Sequence, residues 1–240
     1  MRNLIEGLFD RTIVNFVYHV EARVRLKKGT PEKPSVYDEL KDRAVRKSAD
    51  YVEPYLASAL LFYNRKQIWD YAVSRVSLDG LNLEFGVHKG ESINYLAQRL
   101  AARNARIFGF DSFEGLREDW TGSTSAKGVF DMNGEMPPVR PNVTLVKGWF
   151  NSTLPAFLER EPGNVAFVHL DADTFESTDY VLTTLRPRFT PDTLVLFDEY
   201  IGYPGWEYGE FKAFKNFVEK EKLAYQYLAF SNLQALVRII

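Results

Sequence analysis

The chain has 240 residues, 30 basic against 32 acidic side chains, a formal net charge of −2 and no cysteine. The near-zero balance argues against a general nucleic-acid binder, which needs excess Lys and Arg to neutralise phosphates. The lack of cysteine excludes disulfides, thiolate zinc sites, iron–sulfur clusters and a cysteine nucleophile.

Residues 4 to about 25 carry apolar side chains at Leu4, Ile5, Leu8, Phe9, Ile13, Phe16, Val17 and Val20, a helical stripe. Glu6, Asp10, Arg11 and Glu21 interrupt it and no small-residue cleavage site follows, so it does not read as a secretory signal. Nor does any run reach the roughly 20 apolar residues that span a bilayer. The expectation is a cytoplasmic protein without a membrane partner. The first helix is expected to pack against the body or a second copy in a homo-oligomer, ahead of serving as a lid. A Pro/Gly break follows at residues 27–34, then a second helical region over 36–76 in two or three pieces, one opened by Pro54.

After Asp79-Gly80 the pattern changes. Short apolar runs at 81–85, 105–110, 143–146, 165–170, 193–197, 225–230 and 233–239 read as strands. Helical stretches at 91–103, 154–160, 177–186 and 209–222 lie between them. Continuous apolar strands alternating with helices predict an α/β fold with a parallel sheet covered on both faces. Only Ser231-Asn232 separates the last two runs, so they are expected as an antiparallel hairpin. The expected division is a helical segment, 1–78, and an α/β domain, 79–240.

Ligands of an open parallel sheet bind beyond the carboxyl ends of its strands. There the chain places Glu84-Phe85-Gly86-Val87-His88-Lys89-Gly90-Glu91-Ser92, then Asp111-Ser112-Phe113, Lys147-Gly148-Trp149-Phe150, Asp171-Ala172-Asp173 and Asp198-Glu199-Tyr200. The first is a glycine turn opening a helix, where backbone approaches a ligand closely. An acid at its head disfavours a pyrophosphate, and Asp111 is placed to accept from ribose hydroxyls. Together they point to a nucleoside ligand without a phosphate chain. Asp171, Asp173, Asp198 and Glu199 on neighbouring strand ends would repel unless protonated or neutralised by a cation. All-oxygen donors select a hard divalent ion such as Mg2+, with Mn2+ or Ca2+ as alternatives. His169 and His19 read as packed or hydrogen-bonded histidines rather than ligands; His88 sits in the glycine turn.

These segments resemble a class I S-adenosylmethionine-dependent methyltransferase, a Rossmann-like, mostly parallel seven-stranded sheet with a C-terminal antiparallel hairpin. Closer is the resemblance to the macrocin/mycinamicin sugar O-methyltransferase family, carried by Leu83-Glu84-Phe85-Gly86-Val87 with Gly90 and Ser92, and by Gly109-Phe110-Asp111-Ser112-Phe113-Glu114-Gly115-Leu116. Lys147-Gly148-Trp149-Phe150 with Thr153-Leu154-Pro155, Val168-His169-Leu170-Asp171-Ala172-Asp173 and Phe197-Asp198-Glu199-Tyr200 continue it over roughly residues 80–240. It implies that Glu84 and Gly86 line the methionine part of S-adenosylmethionine with Gly90 and Ser92 beside them, and that Val87 and Asp171 also bind the cofactor. It implies ribose contacts from Asp111, and adenine contacts from Ser112, Phe113, Gly148 and Trp149. Asp171, Asp198 and Glu199 would bind Mg2+ and Asp173 would be the general base. The family usually has Asp-Asp where this chain has Asp198-Glu199, one methylene longer.

The implied reaction is methyl transfer to a hydroxyl of a sugar-bearing or polyhydroxylated natural product. The acceptor is expected among the N-terminal helices, the loop 118–141 and the aromatic segment 200–208, for which surface packing is an equal reading. A nicotinamide-dependent oxidoreductase is the first rival, and the missing G-x-G-x-x-G counts against it. A non-catalytic module and a metal-free methyltransferase on the same fold are the others.

Overall fold

A computed structural model describes residues 35–123 and 125–240; the helix expected over 4–25 and the break at 27–34 lie outside the described residues. The chain divides into two compact units, Met1–Glu39 and Leu40–Ile240, and the sheet with its cleft belongs to the second.

In chain order the elements are α1 (Val36–Val52), a 3-10 turn (Glu53–Tyr55), β1 (Leu60–Leu61), α2 (Arg65–Arg75), β2 (Leu81–Phe85) and α3 (Glu91–Ala101). Next come β3 (Ile107–Asp111), β4 (Val143–Lys147), α4 (Phe150–Arg160), β5 (Val165–Leu170), α5 (Phe175–Leu185) and β6 (Leu194–Phe197). α6 (Glu210–Glu221), β7 (Tyr225–Phe230) and β8 (Ala235–Ile239) complete the unit. Pro54 lies in the first turn of the 3-10 turn, where its missing N–H has no helical partner to lose.

The sheet order is β1-β7-β8-β6-β5-β2-β3-β4. All pairings are parallel except those of β8, which runs antiparallel to both β6 and β7. The chain moves outward from β2 through β3 to β4, then returns to β5 on the other side of β2. That reversal opens a crevice over the carboxyl ends of β2 and β5.

β2, β5 and β6 are buried along their whole length. One face packs Leu83, Phe85, Val168 and Leu170 against Phe157 of α4, Leu182 of α5 and Phe214 of α6. The other packs Phe167 and Leu196 against Trp69 of α2 and Leu96 of α3. Burying one such Phe or Leu contributes about 1.5–3 kcal/mol. Among the described residues no helix is long and apolar enough to cross a membrane.

Two local expectations change. The sheet has eight strands because Leu60 and Leu61 pair in parallel with Ala229 and Phe230 at its edge. Two residues are too few to show a strand period. The hairpin connection runs from Ser231 to Gln234, with the Ser231 N–H donating to the Gln234 carbonyl at 3.0 Å. Leu233 is not in the strand: its carbonyl accepts from the N–H groups of Tyr200, 2.8 Å, and Ile201, 3.0 Å. It thereby holds the chain just after Glu199.

Candidate active site

A cleft of about 690 Å3 opens over the carboxyl ends of β2, β3, β5 and β6, within the roughly 300–1,000 Å3 typical of small-molecule sites. Of the residues singled out in the sequence, Gly86, His88, Asp111, Ser112, Trp149, Asp171, Asp173, Asp198 and Glu199 line it. Glu84, Val87, Gly90, Ser92, Phe113 and Gly148 lie in the shell around it rather than on its wall.

The glycine turn is built by close approach. Gly86 has φ +92° and lies against the Asp171 backbone, where a β-carbon would overlap the carbonyl oxygen. The turn is tied to both neighbouring strands: the Gly86 N–H donates to the Phe110 carbonyl, 3.0 Å, and the Asp171 N–H to the Phe85 carbonyl, 2.9 Å. Gly90, φ +79°, is the left-handed N-cap that starts α3. Asp111 fixes the rest: its Oδ2 accepts from the N–H groups of Val87 and His88, both 2.8 Å, and its Oδ1 from Phe113, 2.7 Å. Oδ2 is filled by its two N–H donors, while Oδ1 keeps a lone-pair site for a ligand hydroxyl. At the far wall the Arg117 guanidinium lies 4.1 Å from the Trp149 ring centroid.

Beneath the cleft runs a buried polar chain. Ser92 Oγ donates to Glu84 Oε1, 3.0 Å; Glu84 Oε2 lies 3.1 Å from His169 Nδ1; His169 Nε2 lies 3.4 Å from Asp198 Oδ1. Glu84 and His169 are completely buried. Burial alone would lower the His169 pKa, but the hydrogen bonds and charges of Asp198 and Glu84 outweigh it and hold it well above the usual imidazole range. Asp198 is held low: burial would raise it, and His169 overrides that. Burial pushes Glu84 up despite its two partners.

Among the described residues, Asp171, Asp173 and Glu199 each bring a carboxylate oxygen to within 4.8 Å of one another. Asp198 lines the same cleft but turns one oxygen to His169. Burial and the neighbouring charges of Asp198 and Asp173 push Asp171 well up; burial with Asp198 and Asp171 does the same to Glu199. Asp173 is pushed up to about 7 by burial and the charges of Asp198 and Asp111. So without a cation the trio tends to hold protons while Asp198 stays ionised. Asp173 also has φ +60°, a conformation a non-glycine residue takes at a cost of about 1–3 kcal/mol.

The aromatic segment 200–208 does not wall the cleft. Tyr200 and Trp206 are buried in the core, and Tyr203 packs edge-on to Trp120 at 5.8 Å. The cleft's rings are instead Trp120, Phe130, Trp149, Phe150 and Tyr180. Sequence reasoning missed Glu210. It is completely buried at the start of α6, with Oε1 3.2 Å from the Ala172 N–H and Oε2 3.1 Å from the Glu199 N–H. In the sequence it looks like any acid in a first helical turn.

Residues 83–200 match the family model described as a methyltransferase domain. The 8-demethyl-8-(2,3-dimethoxy-alpha-L-rhamnosyl)-tetracenomycin-C 4'-O-methyltransferase of Streptomyces olivaceus is 28% identical over 223 residues, covering 83% of this chain and 80% of that protein. The calicheamicin methyltransferase CalS11 superposes with a TM-score of 0.60 at 22% identity, covering 88% of this chain and 98% of that one. The O-methyltransferase NovP superposes with a TM-score of 0.56 at 20% identity, covering 72% and 78%. The two structures share the fold. With the matched domain and the strand-end cleft, the chain is a class I S-adenosylmethionine-dependent O-methyltransferase that resembles the sugar O-methyltransferases.

Proposed function

We propose that the chain methylates a hydroxyl of a sugar-bearing or polyhydroxylated small molecule of natural-product type, with a hard divalent cation, Mg2+ first, at the acid cluster. The observation that carries this reading is three carboxylates converging within 4.8 Å on the floor of the cleft, with the buried Glu199 Oε2 lacking a hydrogen-bond partner. An unpaired carboxylate oxygen among other carboxylates fits a cation better than any neutral filling. The acceptor class follows the rhamnosyl O-methyltransferase to which the chain is similar.

Asp171, Asp198 and Glu199 would hold the cation. Gly86, Val87 and Gly90 would present backbone to the methionine part of the cofactor, with Glu84 and Ser92 bracing them and Asp171 alongside. Asp111 would take the ribose hydroxyls, and Ser112, Phe113, Gly148 and Trp149 would flank the adenine. When bound, the cofactor supplies an electrophilic methyl group and the cation lowers the pKa of a hydroxyl. Asp173 accepts the hydroxyl proton. Trp120 and Phe130 line the cleft and would offer aromatic faces to the acceptor.

We also assign residues 1–78, which include the edge strand β1, the role of a lid or oligomer contact ahead of a 79–240 cofactor-binding domain, in a cytoplasmic protein. The decisive experiment incubates the chain with S-adenosylmethionine and a panel of rhamnosylated and aglycone acceptors, with and without EDTA. Mass spectrometry should show one added methyl group on glycosylated acceptors, lost with EDTA. Methylation restricted to aglycones, or unaffected by EDTA, would overturn the acceptor or the cation respectively.

A further inference from the structure

We propose that Glu210 is a positioning residue whose buried carboxylate clasps the Ala172 and Glu199 amides and so sets the spacing of the two acid-bearing strand ends. The inference rests on the acid cluster being the cation site.

The β5–β6 pairing ends at Leu170 and Phe197, followed by a single bond from the Asp198 N–H to the Leu170 carbonyl, 2.8 Å. Every proposed catalytic acid of these strands lies at or past that last rung. Ala172 sits between Asp171 and Asp173, and Glu199 follows Asp198. Glu210 reaches both from α6, one oxygen to each amide, at 3.2 and 3.1 Å. A planar carboxylate with two N–H groups from separate loops fixes the distance between them. Glutamine could accept only one and would turn its NH2 on the other donor. Mere filling of this buried space would favour an apolar side chain; two acceptor oxygens, one for each amide, are what Glu210 supplies.

The test compares the full-length wild type with Glu210→Gln by amide hydrogen exchange, Mn2+ titration, S-adenosylhomocysteine titration and melting. In Glu210→Gln, peptides covering 170–174 and 197–201 should exchange about tenfold faster while those of β2 and β3 do not change. Mn2+ affinity should fall about tenfold or more, with S-adenosylhomocysteine affinity held within about twofold. Unchanged exchange at both loops, or a uniform rise across the sheet, would overturn the clasp. Should Glu210→Gln not fold, the wild type decides alone. By NMR its Ala172 and Glu199 amides must be protected, although they lie beyond the strands, and rapid exchange there refutes the proposal. A wild type that binds no Mn2+ removes the cation reading and leaves the clasp to the exchange data.

Discussion

Gly86 and Asp171 meet backbone to backbone, so closely that a β-carbon on Gly86 would overlap the Asp171 carbonyl oxygen. The cofactor turn of β2 and the acid-bearing end of β5 are therefore one packed unit. Gly86→Ala must either separate the strand ends or abandon φ +92°. The expected cost is about 1–3 kcal/mol of stability, with S-adenosylhomocysteine binding weakened more than tenfold. Calorimetric titration beside a melting curve checks it, and a variant that binds normally refutes the account of the turn.

Asp198 belongs to the acid cluster on one side and to His169 on the other. Asp198→Ala is expected to abolish methyl transfer while leaving S-adenosylhomocysteine affinity nearly intact, since Asp198 reaches the cofactor turn only at second hand, through His169 and Glu84. Full turnover in Asp198→Ala after exhaustive EDTA treatment would remove the metal role.

Asp173 and Asp198 should separate by what they lose. As a base, Asp173 contributes to turnover by about 10²–10⁴-fold. Asp173→Asn should lower kcat by that order and keep Mn2+ affinity within about threefold. Because Asp173 shares the 4.8 Å trio with Asp171 and Glu199, a large loss of Mn2+ affinity would instead make it a ligand.

His169 lies between two carboxylates with no exposed surface. His169→Ala leaves Glu84 and Asp198 facing each other across a cavity. Removing one partner of a buried ionic network typically costs about 3–5 kcal/mol, and denaturant unfolding should show a loss of that order. A loss under about 1 kcal/mol would mean that the imidazole is neutral and only weakly bound.

Much of this architecture was legible in the residues. The buried runs at 81–85 and 165–170 stand out because a strand covered on both faces needs no polar alternation. The convergence of Asp171, Asp173 and Glu199 followed from topology alone, since parallel neighbours bring their carboxyl ends to one edge. What stayed hidden was long-range pairing. Nothing local tells that Leu60 and Leu61 add to the edge of β7, or that Leu233 leaves the hairpin to bind the amides of Tyr200 and Ile201. The aromatics of 200–208 show the ambiguity of composition: Tyr200 and Trp206 satisfy the core, and the cleft takes its rings from other loops. Glu210 was hidden for the same reason, its role lying in amides some 11 and 38 positions away.

The placement of β8 between β6 and β7 carries a consequence for the order of assembly. β2, β3, β4 and β5 pair before β8 is made, and the turn around Asp111 and Gly86, closed by Asp171, rests on these. β6, which delivers Asp198 and Glu199, pairs on its outer side only with Ala235–Ile239, so Leu194 waits for Arg238. β8 is the last strand to be synthesised, so this side of β6 closes last. During synthesis the cofactor half can take shape while the outer side of β6 is still open, and a chain stalled before β8 would hold its acids on an unsupported edge.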